Sequence, residues 1–309
     1  MIQSSSGTMA TRWIDTLRVY GEPATLRMFF LGFSAGLPLL LVLGTLSFRL
    51  REAGIDRTTI GYLSWVGLAY GFKWAWAPLV DRLPLPGLTR TLGRRRSWLL
   101  ASQLAIIGGL IGMALVDPAD GLNSLVWFAL VVAFASATQD IALDAYRIES
   151  ASVEKQAALA AMYQTGYRLA TIWAGAGVLW IAARAAGDFM GDTSQGGTQM
   201  TSAWTIAYLA MAASMLVGVI ATLLAPNVNH TAGDNAAIEE LDLARRLSAE
   251  RGVSSRVARL LAWLQSAVVG PFADFIGRFR WYALLLLALI ATYRISDVVL
   301  GVMAFPFYV

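Results

Sequence analysis

The chain has 309 residues, 57% of them hydrophobic and 14% charged, with a mean hydropathy of +0.58, whereas a soluble domain averages about 45–50% apolar and about 25% charged residues. That balance excludes a soluble enzyme and a disordered tail. The sequence holds no cysteine and one histidine, His230, so disulfides, thiol nucleophiles and Cys/His metal centres are excluded and no cofactor is expected.

Residues 1–27 are polar, with Arg12, Arg18 and Arg27 dispersed along them. No short apolar core precedes a small-residue cleavage site, so this stretch reads as a retained tail rather than a signal peptide. Apolar windows then predict membrane spans at 28–48, 58–80, 97–116, 124–147, 157–183, 203–225 and 281–304, each near the ~20 residues a helix needs to cross a bilayer. The predicted fold class is therefore all-α and polytopic. Lysine and arginine alternate strongly between the connections: the tail and the loops 81–98, 147–156 and 226–280 hold 17 of them, against 4 in the intervening loops. Because positive charge is retained on the cytoplasmic side, the N-terminus and the long loop 226–280 are expected inside.

Ionisable residues fall within the spans themselves: Lys73, Asp140, Asp144, Arg168, Arg294 and Asp297. A charge at a helix centre costs about 2.5–3.5 kcal/mol on insertion scales, so each must pair, face the bundle interior or line a wet cavity. Asp140 and Asp144 are four residues apart, with Arg147 three further on, which places all three on one helix face. Arg294 and Asp297 are likewise three apart. Mixed acids and bases fit coupled transport better than a channel, which more simply presents rings of like charge. Internal neutralisation that only holds helices together is the alternative.

Between spans two and three, Asp81-Arg82 is followed after ten residues by Gly93-Arg94-Arg95-Arg96. This pattern resembles the signature of the major facilitator superfamily, an Asp-Arg closing the second helix with Gly-Arg-Arg in the same short loop. The resemblance implies a conformational latch at these six residues; the alternative is positive-inside anchoring. Longer segments narrow the family: Gly32 to Leu39, Ala75 to Arg82, Gly93 to Trp98, Ser136 to Tyr146, Gly166 to Leu169 and Tyr293 to Asp297 are similar to the AmpG muropeptide permeases. Their order and spacing cover about residues 28–309.

The resemblance implies a proton-coupled permease of the bacterial inner membrane that imports anhydro-muropeptides for cell-wall recycling. Its partners would be the muropeptide, protons and the lipid bilayer, with no nucleic acid and no obligate protein partner. The substrate or proton pathway is assigned to Lys73, Gln139, Asp140, Asp144, Arg168, Arg294 and Asp297. The related acetyl-CoA transporter group is the second reading. A complete family member has at least twelve spans, so this chain is read as a tail (1–27), a six-helix bundle (28–225), a cytoplasmic loop with amphipathic helices (226–280) and the first helix of an incomplete second bundle (281–309).

Two motif matches mislead. Gly32-Phe33-Ser34-Ala35-Gly36 fits the nucleophile-elbow pattern but lies within a predicted helix with no histidine at hand. With Gly67/Gly71 and Gly108/Gly112 it reads instead as a set of small-residue contacts between helices. Asn229-His230-Thr231 forms a glycosylation sequon on the expected cytoplasmic side. In the loop 226–280, Val257, Leu260, Leu261 and Leu264 recur at helical spacing opposite Arg256 and Arg259, which predicts a helix on the membrane surface. Gly61-Tyr62 and Gly166-Tyr167 hint at a 3+3 internal repeat.

Overall fold

The computed structural model describes residues 18–189, 196–228, 241–249, 254–289 and 292. Among them there is no strand. The chain divides into two compact units, Met1–Asn229 and His230–Val309.

In the first unit α1 occupies Pro23–Glu52. Proline at its first turn suits a position whose N–H has no helical partner. Pro38 inside it cannot donate to the Ser34 carbonyl, and the helix widens into a π turn at Leu41–Thr45. After a turn at Gly54 (φ 81°), Asp56 caps the next helix through Thr59 N–H at 3.0 Å. The predicted span 58–80 is not one helix. It runs as α2 (Arg57–Leu63), a 3-10 turn (Ser64–Gly67), α3 (Leu68–Phe72), a second 3-10 turn (Lys73–Ala75) and α4 (Ala77–Arg82). Pro78 explains the second break, since it removes the N–H that would reach Trp74 and restarts the helix at its own first turn.

The short α5 (Leu88–Leu92) is bounded by Gly87 and Gly93, both at positive φ, and leads to α6 (Arg94–Leu115). A tight connection follows, in which the Asp117 side chain accepts from Ala119 N–H at 3.0 Å and Pro118 opens α7 (Pro118–Glu149). Next, α8 covers Val153–Ile172, a π turn at Trp173–Gly177 and Val178–Phe189. The unit closes with α9 (Gly196–Ser214) and α10 (Leu216–Leu224).

Burial against protein gains little over burial in acyl chains, so close packing and polar contacts hold membrane helices together. The α1–α8 pair shows this directly. A Cβ on Gly32 or Gly36 would strike the backbone of Tyr163 or Tyr167, and one on Gly166 would strike Phe29. The other predicted glycine pairs hold only in part: Gly112 lies against the Phe128 ring and Gly67 against Leu43, but Gly71 and Gly108 face open space. In α6 Gly109 also packs on α7, against Val132. Gly61 has open space where Gly166 has none, so the suggested repeat is not matched in packing.

Arg49, placed by sequence just beyond the first span, lies within α1 and is 1% exposed. Its guanidinium donates to the carbonyls of Met113 (2.6 Å) and Val116 (2.8 Å), the unsatisfied C-terminal acceptors of α6, and sits 5.2 Å from the Tyr208 ring centroid. Nearby, Tyr208 Oη donates to Leu41 O (3.1 Å) and Thr45 Oγ1 to Ala174 O (2.9 Å), so a hydroxyl from a neighbouring helix meets each π turn. Outside this core, large apolar side chains such as Phe30, Leu104, Leu115, Trp127 and Leu224 are exposed, the surface a bilayer covers.

In the second unit, residues 241–249 are helical, and Ser255–Leu264, a π turn at Gln265–Val269 and Gly270–Phe279 form a continuous run. Val257–Phe279, assigned above to a cytoplasmic loop, is long and apolar enough by length and composition to cross a membrane. It joins α1, α6, α7, residues 153–187 and residues 202–224 in meeting that criterion. Most of the predicted seventh span, 281–304, lies outside the described residues, including Arg294 and Asp297; His230 does too.

Candidate transport pathway

The broken second span brings Lys73 to α7. Lys73 occupies the 3-10 turn before Pro78, and its Nζ lies 3.4 Å from Asp140 Oδ2. The Lys73 side chain is 37% exposed and that of Asp140 18%. Trp76 Nε1 donates to Thr138 Oγ1 at 3.2 Å, a second tie between the break and α7. Irregular backbone at membrane depth is tolerated only within protein or beside water, and the half-open lysine fits a cavity edge. The other carboxylate oxygen, Asp140 Oδ1, is buried and has no hydrogen-bond partner among the described residues. One turn along, Asp144 pairs with Arg147 at 3.5 Å, as their spacing requires.

The remaining predicted pathway residues separate. Gln139, next to Asp140 in sequence, points about 100° away around the helix; it is fully buried and donates to Ser34 Oγ at 2.8 Å. Ser34 itself donates to Leu31 O at 2.9 Å, a helix-packing serine and no nucleophile. Arg168 is exposed and makes no ion pair among the described residues.

At the C-terminal end of α7, beyond Asp140 and Asp144, Arg95 draws Asp81 and Glu149 together. Its NH1 lies 2.5 Å from Asp81 Oδ1, and its NH2 and Nε reach Glu149 at 2.7 and 3.1 Å. One guanidinium thus joins the ends of α4, α6 and α7. Arg96 donates to the carbonyls of Thr222 (3.0 Å) and Leu223 (2.7 Å), capping α10. Gly93, at φ 77°, packs so closely on Asn227 that a Cβ would overlap its side-chain amide. Trp98 Nε1 donates to Leu83 O at 2.9 Å. Glu149, which the sequence reading missed, completes this clamp; its position at the same membrane face as Asp81 and Arg95 was the available signal.

Known proteins share sequence with this chain. The model of the acetyl-coenzyme A transporter 1 family matches residues 26–173. The anhydromuropeptide permease of Escherichia coli K12 is 34% identical over 281 residues, 91% of this chain and 48% of that protein. A putative transporter AmpG 4 of Rickettsia felis is 30% identical over 292 residues, 94% of this chain and 61% of that protein. The chain is homologous to the AmpG permeases. It spans about half the length of these curated relatives, and with its series of apolar helices it is a multi-pass membrane protein. In this AmpG homologue the matched region contains the Lys73–Asp140 pair, the Arg95 clamp and the α1–α8 glycine contact.

Proposed function

We propose that the chain contributes to a permease that imports anhydro-muropeptides across the bacterial inner membrane, driven by protons. The observation that carries the reading is the Lys73–Asp140 pair at a helix break, in a chain whose relative over 91% of its length bears the name anhydromuropeptide permease. In this reading Lys73 meets the acidic groups of a peptide stem, and Asp140, released from the lysine, takes a proton. The same reading gives Asp144, Arg168, Arg294 and Asp297 roles in substrate or proton transfer. Residues 28–225 are the first helical bundle, 226–280 a cytoplasmic connection and 281–309 the start of a second bundle, with the N-terminus inside. Residues 81–96 latch the inner end through Asp81, Arg82, Gly93, Arg94, Arg95 and Arg96.

The acetyl-CoA reading has one observation of its own, the family model matching residues 26–173, and one assay separates the two. Proteoliposomes carrying the product of this gene are offered labelled GlcNAc-anhydromuramyl peptide and labelled acetyl-CoA. Uptake of the muropeptide, blocked by unlabelled muropeptide and not by acetyl-CoA, is expected; the reverse preference would refute the proposal.

A further inference from the structure

Four fully buried polar side chains from four helices meet inside the first unit: Ser34 of α1, Gln103 of α6, Gln139 of α7 and Thr222 of α10 are each at most 1% exposed. They form two hydrogen-bonded pairs, Gln139 Nε2 to Ser34 Oγ at 2.8 Å and Thr222 Oγ1 to Gln103 Oε1 at 3.0 Å. Each pair leaves half of an amide unmatched. Gln103 Nε2 and Gln139 Oε1 are buried without a partner among the described residues. Both pairs border Gly218 of α10, where a Cβ would press on Ser34 Oγ and lie 3.0 Å from Gln103 Nε2.

An unmatched buried amide group costs about 1–3 kcal/mol, and such groups in folded proteins are commonly completed by an internal water with two to four polar partners. The chemistry left open here is one donor, Gln103 Nε2, beside a residue with no side chain, and one acceptor, Gln139 Oε1, on the amide bonded to Ser34, which the same residue touches. We propose that a single water molecule is bound between Gln103 and Gln139 beside Gly218, accepting from Gln103 Nε2 and donating to Gln139 Oε1. The assignment survives reversal of the Gln103 amide, since Thr222 Oγ1 can accept as well as donate; the water then donates to both glutamine oxygens. Through the water Gln139 ties α7 to α6 and α10, whose end Arg96 caps at Thr222. This inference is independent of what is transported.

Two measurements test it. A map of the wild-type protein that resolves its other buried waters should show an ordered oxygen within hydrogen-bond distance of both amides; an empty position there overturns the proposal. In detergent, Gln103→Met and Gln139→Met should each lower the unfolding midpoint, by about 3 °C, because each strands the other amide and releases the water. The double variant strands neither, so its loss should be smaller than the sum of the two. A loss equal to that sum means the amides share no water, and overturns it as well.

Discussion

At the residue scale, charges in this protein divide by what surrounds them. Arg95 has a side chain only 10% exposed and is held by two carboxylates, whereas its partner Asp81 is 46% exposed. Removing a buried member strands the charges left behind, at about 3–5 kcal/mol, while exposed pairs contribute about 0–1 kcal/mol. Arg95→Ala is therefore expected to lower stability in detergent severely, and Asp81→Asn only slightly, as read by thermal unfolding. Equal losses would mean that Asp81, not Glu149, carries the clamp. Pairs within one helix were legible from sequence, because Asp144 and Arg147 need only their spacing to meet. Arg49 and Glu149 were not, since their partners, the α6 carbonyls and Arg95, arrive from elements 54 to 67 positions away in sequence. Gln139 was legible as unusual for a membrane helix, but its direction was not, because adjacent helical residues diverge by about 100°.

At the scale of elements, glycine reports where helices touch. Gly166→Ala places a methyl group against the Phe29 carbonyl and should lower the unfolding midpoint or abolish folding, whereas Gly108→Ala meets nothing within 4 Å and gains up to about 1 kcal/mol of helix propensity. A Gly108→Ala loss as large as that of Gly166→Ala would contradict the packing. Apolar windows located the first and the third to sixth spans to within a few residues but missed the breaks around Lys73 in the second, because the apolar run continues through Pro78 while the backbone does not. The run Val257–Phe279 presents the opposite case. It passes a length and hydropathy criterion, yet it carries Arg259 and an Asp274–Arg278 pair at 3.0 Å, and its apolar residues follow one face. On the surface-lying reading, a cysteine at Ser266 in this cysteine-free chain reacts with a membrane-impermeant reagent from the cytoplasmic side; protection from both sides would make the run a span.

At the scale of the whole molecule, alternating loop charge predicts the orientation and the intramembrane charges predict the work. Single cysteines at Ser4, Ser124 and Ser248 should label inside, outside and inside; any other order rules out the topology. The family was legible through the order of short motifs rather than through any one of them, and the relatives at 30 to 34% identity agree with it. On the proposed reading, the carboxylate beside Lys73 couples substrate to protons. In proteoliposomes bearing the transporter, an acidic exterior should drive labelled anhydro-muropeptide inward, with one pH unit sustaining up to about tenfold accumulation per proton, while Asp140→Asn retains exchange of internal for external substrate and loses accumulation. Wild-type accumulation indifferent to the gradient, or an Asp140→Asn variant that accumulates as the wild type does, would contradict the account.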